Sequence, residues 1–177
     1  MNESKTKILE SALDVLRAGR TLSLESVAQE AGITKPGLMY HFPTKEALML
    51  GLVDYVVNRS EKLIAEHLAI PLAAASPRER IWAYVEYTLS THFDETDIVM
   101  MSDPRLRDTL SDRWTTQMAP WITLPEDMPL AERSRLTAVR LLADGAWFAS
   151  ATKVFAPTDA ELEQIRKLAE QIAKGSP

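Results

Sequence analysis

The sequence has no cysteine, which excludes disulfides, thiolate nucleophiles and cysteine-based metal sites. Its three histidines, His41, His67 and His92, lie far apart and form neither a His-x₃-His nor an HExxH spacing, so we expect no metal site. A glycine-rich phosphate loop and a GxSxG motif are also missing. We therefore expect no cofactor and no enzymatic activity.

Long apolar runs are missing too. No run approaches the roughly 18 residues that a membrane span requires, so we expect no membrane partner. The N-terminal stretch MNESKTKILES is polar and charged and does not read as a secretory signal. Together with the lack of cysteine, these features predict a cytoplasmic protein.

The composition fits one compact domain, or a small domain joined to a medium one. The chain has 177 residues, 46% of them hydrophobic, which is enough for a core of ordinary size. Its net charge is −5, whereas residues 1–47 carry six basic and six acidic side chains. Any affinity for nucleic acid must therefore come from a few well-placed donors and helix N-termini, because there is no broad positive field.

Helical periodicity runs through the chain, and no alternating strand pattern or repeat interrupts it, so the predicted fold is all-α. Start and stop signals place helices at 4–18, 24–31, 35–41, 45–69, 77–92, 104–118, 130–153 and 159–173. Asp103-Pro104 is expected to open the sixth of these, and Pro120 to Pro129 to form a loop. Thr158-x-x-Glu161 predicts a capping box for the last.

The most informative segment is SLESVAQEAGITKPGLMYHFPTKEAL, residues 23–48. Ser23 is a natural N-cap, Gly32 a left-handed stop, and Thr34 caps a very short helix that Phe42-Pro43 must end. This compression is typical of a helix-turn-helix. The N-terminal end of helix 35–41 would point its N–H groups outward, where a phosphate or a base edge could sit.

Residues 4–50 resemble the N-terminal domain of the tetracycline-repressor (TetR) family of transcriptional regulators, through ILESALDVL, LSLESVAQEAGIT and LMYHFPTKEAL. The resemblance implies a helix-turn-helix domain of three helices at 1–47 and a helical ligand-binding and dimerisation domain at 48–177. The resemblance also implies that residues in and around the short helix 35–41 contact double-stranded DNA, and these are the positions to which the local pattern points. The DNA-binding candidates are Ser23, Thr34, Lys35, Gly37, Tyr40, His41 and Lys45.

Two positions depart from the family pattern. Many members have an aromatic residue where this chain has Met39, and a hydroxyl or a larger side chain in place of Gly37. Gly37 costs roughly 1 kcal/mol of helix propensity and removes one base-reading group. The alternative to DNA binding is that Tyr40, His41 and Lys45 are simply packed in the domain or exposed to solvent.

The C-terminal half is interpreted as the part that dimerises. Helix 130–153 is apolar on nearly every face around LLADGAWFASA, so it must be covered on all sides. Pairing with helix 158–173 and with a second copy would cover it in a homodimer; an intrachain core is the alternative. The interface candidates are Leu141, Leu142, Ala146, Phe148, Ala149, Leu162, Ile165, Leu168 and Ile172.

Asp144 is a carboxylate within this apolar run and should have a partner. One interpretation is a structural bond to Arg140 at i−4, and the other is recognition of a cationic or donor-bearing ligand. Methionine and aromatic side chains suit an apolar or aromatic effector, a lipophilic cation among them, although most can be plain core. The ligand candidates are Trp82, Phe93, Met100, Met101, Trp114, Met118, Asp144 and Trp147.

The sequence thus predicts a ligand-responsive transcriptional repressor that binds a pseudo-palindromic operator as a homodimer and is released by a small effector. The rival hypothesis is an all-helical dimeric interaction protein whose helix-turn-helix no longer binds DNA. The zero net charge of residues 1–47 and the presence of Gly37 favour that rival.

Overall fold

A computed structural model describes residues 3–175, with the backbone alone at Met100. Over this range the chain forms eight α-helices and no strand, which confirms the predicted all-α class. The helices are α1 (Glu3–Arg17), α2 (Leu24–Ala31), α3 (Lys35–His41), α4 (Lys45–Ala65), α5 (Pro77–Ser90), α6 (Arg107–Ile122), α7 (Leu130–Thr152) and α8 (Asp159–Lys174). Short 3₁₀ helices occupy Leu72–Ala74 and Glu95–Met101.

Local capping explains where several helices begin. Thr158 caps α8, and its own N–H donates to Oε2 of Glu161 over 2.7 Å, which confirms the predicted capping box. Ser76 and Glu79 form the same arrangement at the start of α5. The bonds from Ser76 and Thr158 lower the pKa of the Glu79 and Glu161 carboxyls.

The prediction for α6 was wrong at both ends. Asp103 accepts a bond from the N–H of Arg105 over 2.9 Å, which makes a turn, and α6 begins only at Arg107. The helix then continues through Pro120 to Ile122, so the expected loop starts three residues later. The carbonyls of Pro120 and Thr123 accept bonds from the Arg80 guanidinium, and these bonds support the extra turn.

The described residues divide into two compact units. Unit 1 holds the residues up to Asn58 together with Asp94–Gln117, and unit 2 holds Arg59–Phe93 and the residues from Met118 onward. The predicted domain division at 47/48 remains a prediction. Among the helices in residues 3–175, none combines the length and the apolarity that a bilayer crossing needs.

Each unit has its own apolar core. In unit 1, fully buried side chains from α1 to α4 include Leu9, Leu13, Val27, Leu38, Leu48 and Leu52. In unit 2, α5, α7 and α8 meet through Ile81, Val85, Leu89, Leu136, Val139, Ala143, Ala146, Ala169 and Ala173. Alanines on α7 and α8 allow these helices to approach closely.

Candidate nucleic-acid interface

The turn between α2 and α3 is fixed by two local signals. Ser23 caps α2 by accepting a bond from the N–H of Ser26 over 3.0 Å, and the Ser26 hydroxyl accepts from the N–H of Ser23 over 2.9 Å. At the other end Gly32 adopts a left-handed conformation with φ of 66°, and Ile33 N–H bonds the Ala28 carbonyl. This φ favours glycine over any residue with a Cβ.

Helix α3 is two turns long and is held at both ends. Thr34 caps it by accepting a bond from the N–H of Gly37 over 3.2 Å, and Pro36 occupies the first turn, where its missing N–H is not needed. Leu38 is the buried residue of the helix, and Phe42, also buried, ends it. A helix this short depends on such packing.

Most of the rest of α3 is presented to solvent, although His41 is half-buried. Lys35, Pro36, Gly37 and Met39 are exposed, and Tyr40 is 86% exposed. The Tyr40 ring meets the His41 ring edge-on, with 5.2 Å between their centroids. Leu38 is thus the one fully buried side chain of α3, and the Tyr40 ring is accessible.

The Phe42 side chain, directly after α3, packs against α4 and α1 and so holds α3 in position. A Cβ atom at Gly51 would lie 2.7 Å from Cε1 of Phe42 and 3.4 Å from Cδ2 of Leu9, so only glycine leaves room for the ring. The Lys5 ammonium lies 5.8 Å from the centroid of the same ring. The role of Gly51 could not be predicted from the sequence, because it depends on side chains that are distant along the chain, such as Leu9.

Both lysines predicted to contact DNA form ion pairs in the structure. The Lys35 ammonium lies 3.2 Å from Oε2 of Glu25, across the turn. The Lys45 ammonium lies 2.5 Å from Oδ2 of Asp103, which comes from the segment before α6. The bond from Lys45, together with the one from the Arg105 N–H, holds the pKa of the Asp103 carboxyl below its usual range.

Within unit 1, two further ionic contacts join residues 94–117 to helices α1 and α4. Arg17 Nε donates to Oδ2 of Asp94 over 3.0 Å. The Arg113 guanidinium bonds both oxygens of Asp54, over 2.6 and 2.9 Å, and Gln117 donates to the same carboxylate. These pairs, like the Asp103 pair, were not found from the sequence, because their partners are 59 to 77 positions apart and no local pattern marks them.

Asp144, the candidate for ligand recognition, already has two partners. Tyr84 donates a 2.8 Å bond to Oδ1, and Arg140 bonds Oδ2, which is the i−4 pair that the structural interpretation expects. Burial raises the pKa of Asp144, while Tyr84 and Arg140 act to lower it. A ligand role for Asp144 stays a prediction.

The other ligand candidates lie in both units. Met101 and Trp114 belong to unit 1, and so does Met100, whose side chain lies outside the described residues. The remaining candidates belong to unit 2, where Met118 and Phe93 are buried and Phe93 meets the Tyr87 ring edge-on. The half-buried members of unit 2 are Trp82, Asp144 and Trp147.

Of these candidates, Trp82 lines a small pocket between α5, α7 and α8. Its volume is about 130 Å³, below the 300–1,000 Å³ that is usual for drug-sized ligands. The other lining residues are Arg78, Ile81, Leu136, Val139, Glu170, Ala173 and Lys174.

The interface candidates on α7 and α8 differ in exposure. Leu141, Phe148, Leu168 and Ile172 are large apolar side chains that stand in solvent, with exposed fractions from 38% to 56%. Ala146 lies in the core of unit 2. The half-buried members are Leu142, Ala149, Leu162 and Ile165, and all but Ala149 pack against that core.

Within residues 3–175, no group of three or more histidine, aspartate or glutamate side chains is arranged to hold a metal ion. His92 Nε2 lies 3.3 Å from Oδ1 of Asp159, and both side chains are exposed.

Two family models match the chain. One, described as "Bacterial regulatory proteins, tetR family", matches residues 8–52, and one described as "Tetracyclin repressor-like, C-terminal domain" matches residues 78–174. The HTH-type transcriptional regulator EthR of Mycobacterium tuberculosis is 31% identical over 124 residues, which is 68% of this chain. The match covers 56% of EthR, so the chain spans about half the length of this relative.

Solved structures share the fold. A TetR-family regulator from Rhodococcus sp. aligns with a TM-score of 0.69 at 15% identity, covering 98% of both chains. EbrR, described as a multidrug binding protein and complexed with imidazole, aligns with a TM-score of 0.57 at 18% identity, covering 97% of this chain and 96% of EbrR. At these identities the likeness concerns the fold alone.

Proposed function

The chain belongs to the tetR family of bacterial transcriptional regulators, which are not enzymes, and we propose that it is a ligand-responsive repressor. In this proposal a homodimer binds a pseudo-palindromic operator, with one α3 helix in the major groove of each half-site. A small effector releases it from DNA.

The observation that carries the proposal is the exposure of α3. Only Leu38 of this helix is buried, while Tyr40 and the residues of its first turn face solvent. We assign Lys35 and Gly37 to the groove, Tyr40 and His41 to the phosphate backbone, and Lys45 to a further phosphate. Thr34 and Ser23 cap the two helices and supply polar groups at their N-termini.

The homodimer proposal is supported by the apolar surface of α7 and α8. Leu141 and Phe148 on α7, with Leu168 and Ile172 on α8, form no part of the unit 2 core and leave apolar area in water. Covering such a surface with its symmetry mate is favourable at about 25 cal/mol per Å². A two-fold axis through this surface would give the operator its palindromic symmetry.

The proposed effector is a small apolar or aromatic molecule bound among the aromatic and methionine side chains. Since Arg140 and Tyr84 already bond the Asp144 carboxylate, a cationic effector would have to displace Arg140 in order to reach it. Linkage requires the two effects to be equal. The factor by which the effector weakens DNA binding is also the factor by which it binds the free protein more tightly than the DNA-bound protein. Thermal unfolding with a panel of dyes and biocides tests this proposal, and no stabilisation by any of them would overturn it.

Fluorescence anisotropy on the upstream intergenic duplex, against a scrambled duplex, tests DNA binding. We expect a preference of about a hundredfold, in the range of specific over non-specific binding. Lys35→Ala, which removes a groove contact, should abolish the preference, whereas Tyr40→Ala, which removes a phosphate contact, should weaken binding to both duplexes. Lys174→Ala, which removes an exposed lysine of unit 2, serves as the control and should leave it intact.

The second candidate is an interaction protein that no longer binds DNA. The ion pairs Lys35–Glu25 and Lys45–Asp103 favour it, since they neutralise two cations of the candidate interface. A salt titration separates the two functions. Specific DNA binding weakens with a log–log slope of about −0.9 for each phosphate contacted, whereas an interaction protein would give weak binding to both duplexes.

A further inference from the structure

Lys45 is the first residue of α4. It is the first lysine or arginine that follows α3, the helix proposed to bind DNA. Its ammonium lies 2.5 Å from Oδ2 of Asp103. The Lys45 side chain is 42% exposed, while that of Asp103 is only 11% exposed. The lysine therefore remains accessible to a ligand from solvent even though a shielded carboxylate holds it.

The Asp103 carboxylate does not depend on Lys45 for its position. Its Oδ1 accepts a 2.9 Å bond from the N–H of Arg105, and the carbonyl of Asp103 accepts one from the N–H of Leu106 over 3.2 Å. These bonds fix Asp103 at the turn before α6. The carboxylate is thus the immobile member of the pair, and the long lysine side chain is the member that can move.

The other pair at this surface is different. Glu25 reaches Lys35 over 3.2 Å, and its side chain is 73% exposed. An ion pair between solvated, flexible side chains contributes little. Glu25 therefore offers a matched comparison, in which a carboxylate also holds a candidate DNA-contacting lysine but is neither shielded nor fixed by backbone bonds.

We propose that Asp103 sets the affinity for DNA by competing with a phosphate for the Lys45 ammonium. The inference rests on the proposed DNA binding by this unit. When a phosphate approaches Lys45, the ammonium either leaves Asp103 or shares its donors with a second anion. In both cases the carboxylate reduces the binding free energy that the Lys45–phosphate contact contributes. DNA binding is therefore weaker than it would be with an unpaired Lys45.

The test measures the affinity of the full-length chain for a duplex selected from random DNA, as a function of salt. Asp103→Asn keeps an oxygen acceptor for the Arg105 N–H and removes the charge. We expect it to bind about fivefold more tightly at low salt, the upper range for one such pair. Its log–log salt slope should steepen by about 0.9, because one more lysine becomes available to displace a counterion.

A double-mutant cycle with Lys45→Met assigns the effect to this pair. In the Lys45→Met background, Asp103→Asn should change neither affinity nor slope. Glu25→Gln should change affinity by less than Asp103→Asn does. If Asp103→Asn unfolds the chain, as judged by circular dichroism, Asp103→Ser replaces it, since serine can also accept the Arg105 bond.

Two results would overturn the inference. An unchanged affinity and slope in Asp103→Asn would mean that the carboxylate does not compete. A weaker affinity with a shallower slope would mean that Asp103 instead holds Lys45 in place for the phosphate. Failure of the proposed function is distinct from both, because the wild-type chain would then select no duplex at all.

Discussion

The hydroxyl of Tyr84 on α5 donates a 2.8 Å hydrogen bond to Oδ1 of Asp144 on α7. Burial and the neighbouring carboxylate raise the pKa of Tyr84, so the phenol is the donor of this bond. Arg140 bonds the second carboxylate oxygen. The one acidic side chain in the apolar stretch of α7 is thus paired on both oxygens within unit 2.

Tyr84→Phe removes the hydroxyl and leaves Oδ1 of Asp144 without this donor in a half-buried setting. We expect the free energy of unfolding to fall by about 1–3 kcal/mol. Urea denaturation measures it, with Tyr40→Phe as the control, because the Tyr40 ring is exposed. Equal stabilities of wild type and Tyr84→Phe would show that the bond contributes nothing.

Asp94→Asn should destabilise unit 1 at neutral pH by about 0.5–1 kcal/mol. Burial acts to raise the pKa of Asp94, but the bonds from Thr96 and Arg17 outweigh burial and hold that pKa below 3.8. A depressed pKa stabilises the fold above 3.8, and the contribution is lost as the pH falls through the folded-state value. Unfolding free energies should therefore differ at pH 7 and converge at acid pH.

Asp14→Asn is the matched control for that experiment, because Asp14 is the other, more exposed carboxylate on Arg17. Its effect at pH 7 should be smaller than that of Asp94→Asn. A difference between Asp94→Asn and wild type that stays unchanged as the pH falls until Asp94 is protonated in the folded chain would contradict this assignment.

Gly51→Ala should disturb the packing of Phe42, which holds α3 in position, and so lower the stability of the chain. The added Cβ would lie 2.7 Å from the Phe42 ring, and overpacking of this kind costs about 1–3 kcal/mol, more than the gain of up to about 1 kcal/mol in helix propensity. Thermal unfolding should show a lower Tm. Phe42→Leu in the same chain should remove the clash, so the double variant should be more stable than the sum of the single effects predicts.

Leu38→Ala should cost about 2–5 kcal/mol and detach α3 from its support, because Leu38 is completely buried. Its neighbour provides the control, since Met39 is 41% exposed and Met39→Ala should leave the free energy of unfolding nearly unchanged. Hydrogen exchange of the α3 amides checks the local effect. Unaltered protection in Leu38→Ala would mean that α3 is held by other contacts.

Phe148→Glu or Leu168→Glu should convert the proposed dimer into monomers, because each places a charge in the apolar surface of α7 and α8. Sedimentation velocity measures the change. Leu130→Glu is the control, because Leu130 is equally apolar and highly exposed but lies at the first residue of α7. A wild-type chain that sediments as a monomer would remove the interface from the account.

The sequence predicted those parts of the molecule that local chemistry determines. Ser23, Gly32, Thr34 and Thr158 act within four residues of themselves, so their caps and turns could be identified without a fold. The helix-turn-helix followed from these caps and turns, and the all-α class followed from the helical periodicity of the chain. The Arg140–Asp144 bond was foreseen for the same reason, since its partners are one helical turn apart.

Features that depend on distant partners could not be predicted in this way. Asp103-Pro104 has the form of a helix start, yet Asp103 is committed to a turn and to Lys45, 58 positions away. Pro120 is typical of a helix end, yet Arg80 donates to the carbonyls of Pro120 and Thr123, and α6 continues to Ile122. Likewise, the sequence could not distinguish the exposed Phe148 from the buried Ala146, because their exposure depends on how α7 packs against other helices.

The most direct test of DNA reading by α3 is a selection from random duplex DNA, run in parallel with wild type and with Lys35→Ala. We predict that wild type enriches one pseudo-palindromic site, with half-sites a whole number of helical turns apart, and that Lys35→Ala, which removes a groove contact, does not enrich that site. If wild type enriches no sequence, or if Lys35→Ala enriches the same site equally well, α3 does not read DNA.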